Sequence, residues 1–330
     1  MRRRDFLKTV AVSGLAAQIS TIIYPVQGKE KQSEPGHLPK RPLGKTGEYL
    51  SIIGLGGMVL VNVPQETANK VVKDSIEAGV NYFDVAPSYG RGDAESKLGI
   101  ALEPYRKKVF LACKSTERTK DGIIKEMNES FKRLKTDYFD LYQLHSLTTP
   151  EDIKVAFGEN GALEAIEKAK KDGLVRYIGF SAHTVESAME ALENYDFDSI
   201  LFPINFTMWY KGNFGPQVVE YAKSKGAGVL AIKSMAFSVL QKGAKRQFPN
   251  CWYQPLSTEE EASLGLRFTL SQPVTAAVPP GDEKLYRMAL KLAPSFIPLS
   301  EKEKDILKQK AENVQPVFQY PSHEYDIIKG

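Results

Sequence analysis

Residues 109–145 read VFLACKSTERTKDGIIKEMNESFKRLKTDYFDLYQLH, and their hydrophobic rhythm changes twice. The first six residues, VFLACK, are a short apolar run that ends on Lys114. Across 121–134, Ile123, Ile124, Met127, Phe131 and Leu134 recur at steps of three and four, which lays them along one face of a helix. At 139–145 the run FDLYQLH returns to strand character. A strand, a long amphipathic helix and a second strand form a parallel pair, because an antiparallel pair needs only a short turn.

The same alternation continues in both directions. Short apolar runs at 50–57, 81–86, 176–181, 199–205, 228–234 and 274–279 join the two above, and helical stretches at 65–78, 94–102, 161–171, 184–193, 215–225, 258–271 and 283–292 separate them. Eight strand–helix units in about 250 residues predict an α/β fold, a (β/α)8 TIM barrel forming a single catalytic domain over 41–300. A doubly wound nucleotide-binding sheet competes through GLGGM (54–58), but the third glycine of that fingerprint falls on Val59 and the acidic residue at the right distance, Asp74, falls inside a helix.

The chain has 330 residues, 42% hydrophobic and 25% charged, the composition of a globular protein with a sizeable core. Its formal charge is +4, but Arg2, Arg3, Arg4 and Lys8 against Asp5 put +3 of it in the first 28 residues. The remaining +1 leaves no basic face for nucleic acid. Cys113 and Cys251 lack the CxxC spacing of a thiolate metal site, so Cys113 reads as a buried strand residue and Cys251 as a loop residue, and no metal is expected.

The N-terminus carries its own signal. A basic start, an apolar stretch from Thr9 to Val26 and small residues after it give 1–28 the layout of an export segment. Arg3-Arg4-Asp5-Phe6-Leu7-Lys8 resembles the twin-arginine motif, so periplasmic localisation and the twin-arginine machinery as a partner are expected. Gln18 and several serines and threonines make the stretch too polar for a stable membrane span. Residues 29–40, with two prolines and a glycine, read as a linker, and 301–330 as a tail that begins with a charged helical stretch and packs on the barrel.

In a barrel of this kind reactive groups sit at the C-terminal ends of strands. The run ends carry Asp84, Lys114, His145, Ser181, Asn205 and Lys233, each from a different strand, and Tyr89 lies five residues past Asp84. Singly, Asp84 reads as a turn cap, Lys114 as a lysine snorkelling to water and His145 as a core histidine. Their convergence on one rim points to chemistry. A tyrosine near pKa 10 is a poor proton donor at neutral pH, and a lysine beside it is expected to lower that value by about 1–3 units. Asp84 would keep Lys114 ionised, and His145 would donate a hydrogen bond to a substrate oxygen.

These residues resemble the aldo-keto reductase superfamily over nearly all of 40–290. RPLGKTGEYLSIIGLGGM is similar to its opening hairpin and first strand, NYFDVAPSYG to its D-x-A-x-x-Y-G element, VFLACKS to its lysine strand, and SFKRLKTDYFDLYQLHS to its R-L-x-x-D-Y-x-D-L-Y-x-x-H element. The resemblance implies an NADP-dependent (or NAD-dependent) carbonyl reductase or alcohol dehydrogenase, with the cofactor extended across the barrel. Tyr89 would be the proton donor to an aldehyde, ketone or sugar, Lys114 and Asp84 would tune it, and His145 would orient the carbonyl. Cofactor contacts would come from Gly57, Met58, Ser181, His183, Asn205, Lys233, Ser234, Met235, Pro280, Gly281 and Lys284.

Several positions depart from the family pattern. Ala182 stands for an expected asparagine, Leu201 for a glutamine and Ile232 for a ring-stacking aromatic, while Asp282 and Glu283 replace a basic residue that often meets the 2′-phosphate. His183 is a candidate to take over the carboxamide contact. This altered pocket motivates an alternative function, a nicotinamide-binding redox sensor or accessory protein with little turnover. Export implies a tightly held cofactor, and the substrate is expected to be set by the loop 235–257, with Phe248, Trp252 and Tyr253 available to wall a pocket.

Overall fold

The computed structural model describes residues 37–241 and 243–322; the expected signal segment 1–28, most of the linker and the end of the tail at 323–330 lie outside them. A hairpin of β1 (Lys40–Pro42) and β2 (Tyr49–Ser51) leads into eight parallel strands: β3 (Leu55–Gly56), β4 (Tyr82–Asp84), β5 (Phe110–Ser115), β6 (Phe139–Leu147), β7 (Val175–Ala182), β8 (Ser199–Pro203), β9 (Gly228–Ile232) and β12 (Ala276–Val278). Each overlaps one of the eight apolar runs, with β5, β6 and β7 extending one or two residues beyond theirs. They pair in chain order, and the Ile53–Ala277 bridge, with Ala277 N donating to Ile52 O at 2.8 Å and Gly54 N to Ala277 O at 2.9 Å, joins the last strand to the first. That closure excludes the doubly wound alternative.

The helices are α1 (Gln65–Glu77), α2 (Asp93–Leu102), α3 (Lys120–Leu134), α4 (Pro150–Phe157), α5 (Ala162–Lys171), α6 (Val185–Asn194), α7 (Phe206–Tyr210), α8 (Pro216–Ser224), α9 (Glu259–Leu270), α10 (Glu283–Leu292) and α11 (Glu301–Glu312). In α3, Thr119 caps the first turn by accepting from Gly122 N at 3.2 Å, and Lys135 ends the helix in the left-handed region at φ 50. Its buried face is Ile123, Met127, Ser130 and Leu134. Ile124, expected on that face, is 43% exposed, because one residue turns the helix about 100° away from Ile123 while Met127 returns to it. Phe131 is partly buried and stacks on Phe139 of β6 at 4.5 Å.

Strand parity organises the core. Outward side chains, among them Phe83, Leu111, Cys113, Tyr142, Leu144, Ile178, Phe180, Ile200 and Phe202, pack beneath the helices. Inward side chains Tyr82, Phe110, Ala112, Leu141, Leu201, Leu230, Ala276 and Val278 fill the barrel, and Leu43 and Leu50 from the hairpin plug its N-terminal end. Asp84, Lys114 and Gln143 continue that inward face one step above Tyr82, Ala112 and Leu141, in register as Asp84 beside Ala112 and Lys114 beside Gln143.

The segment 235–257 holds more order than a loop. β10 (Ala236–Val239) and β11 (Tyr253–Pro255) form an antiparallel hairpin within it. Helix α11 buries Leu307 and Ala311 with Phe206, Leu256 and Phe268, and the chain beyond it runs over the barrel, Tyr320 N donating to Gly212 O at 2.7 Å. Cys113 and Cys251 are both buried and unbridged. Among the described residues no helix is long and apolar enough to cross a membrane, and no cluster of His, Cys, Asp or Glu is arranged to hold a metal.

Candidate active site

The C-terminal mouth of the barrel opens into a cavity of about 330 Å3 whose lining includes Asp84, Tyr89, Lys114 and His145. Lys114 is fully buried and its Nζ donates to Asp84 Oδ1. The other carboxylate oxygen, Oδ2, accepts from Gln143 Nε2 at 3.0 Å and from the Tyr82 hydroxyl at 3.3 Å. Asp84 is therefore surrounded by donors. Burial alone would strip the proton from Lys114, but Asp84 and then Tyr89 hold its pKa above the ordinary lysine value, so it stays an ammonium. Gln143 and Tyr82 were not among the sequence candidates. The readable signal was parity, since each lies two residues from a candidate on the same strand face.

Tyr89 sits in the turn after β4, with its N–H donating to Ala86 O at 3.0 Å. Gly90, Arg91 and Gly92 follow in left-handed conformations at φ 63, 55 and 89, a reversal that glycines permit and that carries the chain into α2. The Lys114 Nζ lies 4.7 Å from the Tyr89 ring centroid, and the His145 ring meets Tyr89 edge-on at 6.0 Å. Burial raises the phenol's pKa, and Lys114 offsets this only in part while Asp84 adds to it. The expected depression by Lys114 is thus present as an influence and outweighed in sum: Tyr89 is a neutral phenol.

His145 is neutral as well. Burial first, then the charge of Lys114, holds its imidazole well below the usual range, and its Nδ1 is buried with no hydrogen-bond partner. Arg118 fixes the corner that carries it, donating to His145 O at 2.8 Å and Ser146 O at 2.9 Å while pairing with Asp152 at 2.8 Å. Ser146 is left-handed at φ 57, its N–H donates to Ser181 Oγ at 2.7 Å, and its hydroxyl lies 3.1 Å from His183 Nδ1.

The expected cofactor residues divide. Met58, Ser181, His183, Lys233, Pro280 and Gly281 line the cavity with the four above. Gly281 is needed for closeness: a Cβ there would stand 2.5 Å from the Met58 Cβ. Asn205 is committed elsewhere, its Oδ1 capping α7 through Met208 N at 3.0 Å and its Nδ2 donating to Lys233 O at 3.2 Å. Ser234 and Met235 are buried in the core, Lys284 is exposed on α10, and none of these three nor Gly57 lines the cavity. Trp252 and Tyr253 wall the cavity while Phe248 packs against the core beside it. Asn250, missed in the sequence, bridges the mouth, its Nδ2 donating to Met58 O and to Gly281 O, each at 3.0 Å.

A profile of the aldo/keto reductase family matches residues 52–310. The chain belongs to the aldo/keto reductase family. It is 28% identical over 277 residues to the uncharacterized oxidoreductase YqkF of Bacillus subtilis, covering 76% of this chain and 88% of that protein. It is 25% identical to the L-galactose dehydrogenase of Arabidopsis thaliana, covering 66% and 70%. The holo form of aldo-keto reductase AKR11C1 from Bacillus halodurans shares the fold, with a TM-score of 0.67 at 24% identity over 84% of this chain and 98% of that one.

This member of the family is an NAD(P)-dependent oxidoreductase that interconverts carbonyls and alcohols, and nothing in these relatives favours a sensor with little turnover. The cavity fits the end of a nicotinamide nucleotide. Leu201, Ile232 and Val278 offer an apolar floor for a flat ring, and the unpartnered His183 Nε2 and the Ser181 hydroxyl offer polar edges.

Proposed function

We propose that Tyr89 gives its proton to the carbonyl oxygen, with Lys114 and Asp84 stabilising the tyrosinate left behind and His145 orienting the substrate. The observation that carries this reading is the Asp84–Lys114 ion pair beneath the Tyr89 ring, which keeps a full positive charge 4.7 Å from the ring centroid in a buried site. Nicotinamide, when bound, supplies the hydride. Ser181 would hold its carboxamide edge, and Leu201, Ile232 and Val278 would exclude water beneath it. A neutral His145 donates to the carbonyl oxygen without competing for the proton. Reduction of benzaldehyde, followed by loss of reduced-nicotinamide absorbance, tests the reading: turnover supports it, and nucleotide binding without turnover contradicts it.

NADP is the proposed cofactor. The support is the pair of exposed cations Lys245 and Arg246 in the segment 235–257, which Asn250 fastens to the mouth, whereas the Asp282 carboxylate is spent on capping α10 through Lys284 N at 2.9 Å. A higher kcat/KM with NADPH than with NADH supports the preference; a lower one assigns the enzyme to NAD. Residues 1–28 are proposed as a twin-arginine export signal, supported by Arg3-Arg4-Asp5-Phe6-Leu7-Lys8, with a periplasmic protein as the product. An exported reductase needs a nucleotide that travels with it, so the mature protein should carry one when purified, as native mass spectrometry would detect.

A further inference from the structure

The cavity is lined by two lysine side chains, Lys114 and Lys233, and by one carboxylate, Asp84, which is committed to Lys114. Lys233 makes no ion pair among the described residues. Its Nζ instead lies 5.3 Å from the ring centroid of Trp252 and 5.4 Å from that of Phe318. Aromatic faces hold a cation without neutralising it. The Lys233 backbone is left-handed at φ 61, a conformation disfavoured for lysine, and Asn205 Nδ2 secures its carbonyl at 3.2 Å.

A second polar group faces the same space. His183 lines the cavity with a buried Nε2 that has no partner, while its Nδ1 lies 3.1 Å from Ser146 Oγ. When the serine hydroxyl donates to Nδ1, Nε2 carries the proton and is a donor. Phe318 links the two, stacking on the His183 ring at 5.4 Å and lying against the Lys233 ammonium. The Lys233 charge is, after burial, the largest influence keeping His183 neutral, which places the two groups within electrostatic reach. β9 lies four strands from β5 in either direction around the barrel, so Lys233 stands across the mouth from Lys114.

A partly buried lysine without a counter-charge and an unpaired buried donor in one cavity wall make a receptor for an oxyanion. Resting on the reading of Tyr89 as proton donor to a carbonyl, we propose that Lys233 and His183 bind an acid group carried by the substrate, making the preferred substrates aldehydes or ketones that bear a carboxylate. The acid group and the carbonyl would then lie at opposite sides of the cavity. Burial lowers the Lys233 pKa to about 7, so an anion binds with proton uptake and the preference for acids fades above that pH. The nucleotide's own phosphates are the other oxyanions the enzyme handles, and the experiment separates them.

The measurement is the ratio of kcat/KM for para-carboxybenzaldehyde to that for benzaldehyde, in the wild type, Lys233→Met and Lys233→Arg, with the NADPH Kd determined for each. Turnover of benzaldehyde by the wild type tests the underlying carbonyl-reductase reading independently. The ratio is expected to fall at least about tenfold in Lys233→Met, the scale of one hydrogen bond to a charged group, and to survive in Lys233→Arg. In the wild type it should fall as pH rises above about 7, and in Lys233→Arg it should stay level, since a guanidinium keeps its charge. An unchanged ratio in Lys233→Met overturns the proposal, and so does a loss confined to NADPH affinity, which would assign the cation to the nucleotide.

Discussion

Lys114 is fully buried and Lys233 partly buried at the barrel mouth, but Asp84 answers the first while, among the described residues, the Trp252 and Phe318 rings answer the second. The consequences for stability have opposite signs. Replacing Asp84 by Asn leaves the fully buried Lys114 without its counter-charge, and a loss of about 3–5 kcal/mol in unfolding free energy is expected from denaturant titration. Lys233 has a folded pKa of about 7 against about 10.4 unfolded, so between those values the unfolded chain binds more protons and stability rises with pH. Lys233→Met removes that penalty, and its Tm at pH 7 should exceed the wild-type value by a few degrees. A residue that costs stability at a binding site is one kept for function. The histidines add acid sensitivity: His145 and His183 are held neutral by burial, so their contribution is full above about pH 6.5 and is lost below it as the unfolded chain takes up protons. Thermal scans from neutral pH downward should show that loss, and His183→Gln should reduce it. The four rim candidates were legible because reactive types recurred at strand ends. Gln143 and Tyr82 were hidden by reading strand ends alone, without carrying parity one step down each strand.

Among the elements, the strap between β9 and α9 shows where sequence signals run out. Its hairpin pairs AFSV with YQP, segments too short and mixed to announce strands, and so 235–257 read as a loop. Asn250 was invisible for the same reason, because its two acceptors are backbone carbonyls 192 and 31 residues away. That bridge ties the strap to both loops at the cavity edge. Asn250→Ala is expected to speed nucleotide release, with stopped-flow fluorescence as the check and an unchanged off-rate as the contrary result. The eight parallel strands and most flanking helices, by contrast, were written in local periodicity, whereas the short helices α4 and α7 were not foreseen. The exception within α3, Ile124, arose because an apolar residue beside Ile123 looks like part of the face until the helix angle is counted. Charge at the other end of the barrel does a different job: Asp140 accepts from Leu111 N at 2.9 Å and pairs with Arg106 at 2.9 Å and Arg176 at 2.7 Å, stitching β5, β6 and β7 where no substrate reaches.

The whole molecule follows from one constraint, that eight strands with both faces apolar must cover the outer face with helices and close the inner face on itself. Closure through Ile52, Ile53 and Ala277 brings strand ends far apart in sequence onto one rim, and that rim is where Asp84, Lys114 and His145 meet the Tyr89 turn. Because the described core begins with Leu38, a chain starting at residue 37 should fold and turn over like the full-length protein. Local pattern could announce eight units and offer Trp252 as a pocket wall, but not the Trp252–Phe318 ring contact, which joins segments distant in sequence. The central claim, that Tyr89 is the acid in a nicotinamide-dependent carbonyl reduction, is tested most directly by single-turnover reduction of benzaldehyde in Tyr89→Phe loaded with NADPH, with nucleotide affinity measured on the same samples. A rate lower by about 10²–10⁴-fold with nucleotide affinity retained is the predicted result, and a wild-type rate in Tyr89→Phe would contradict it.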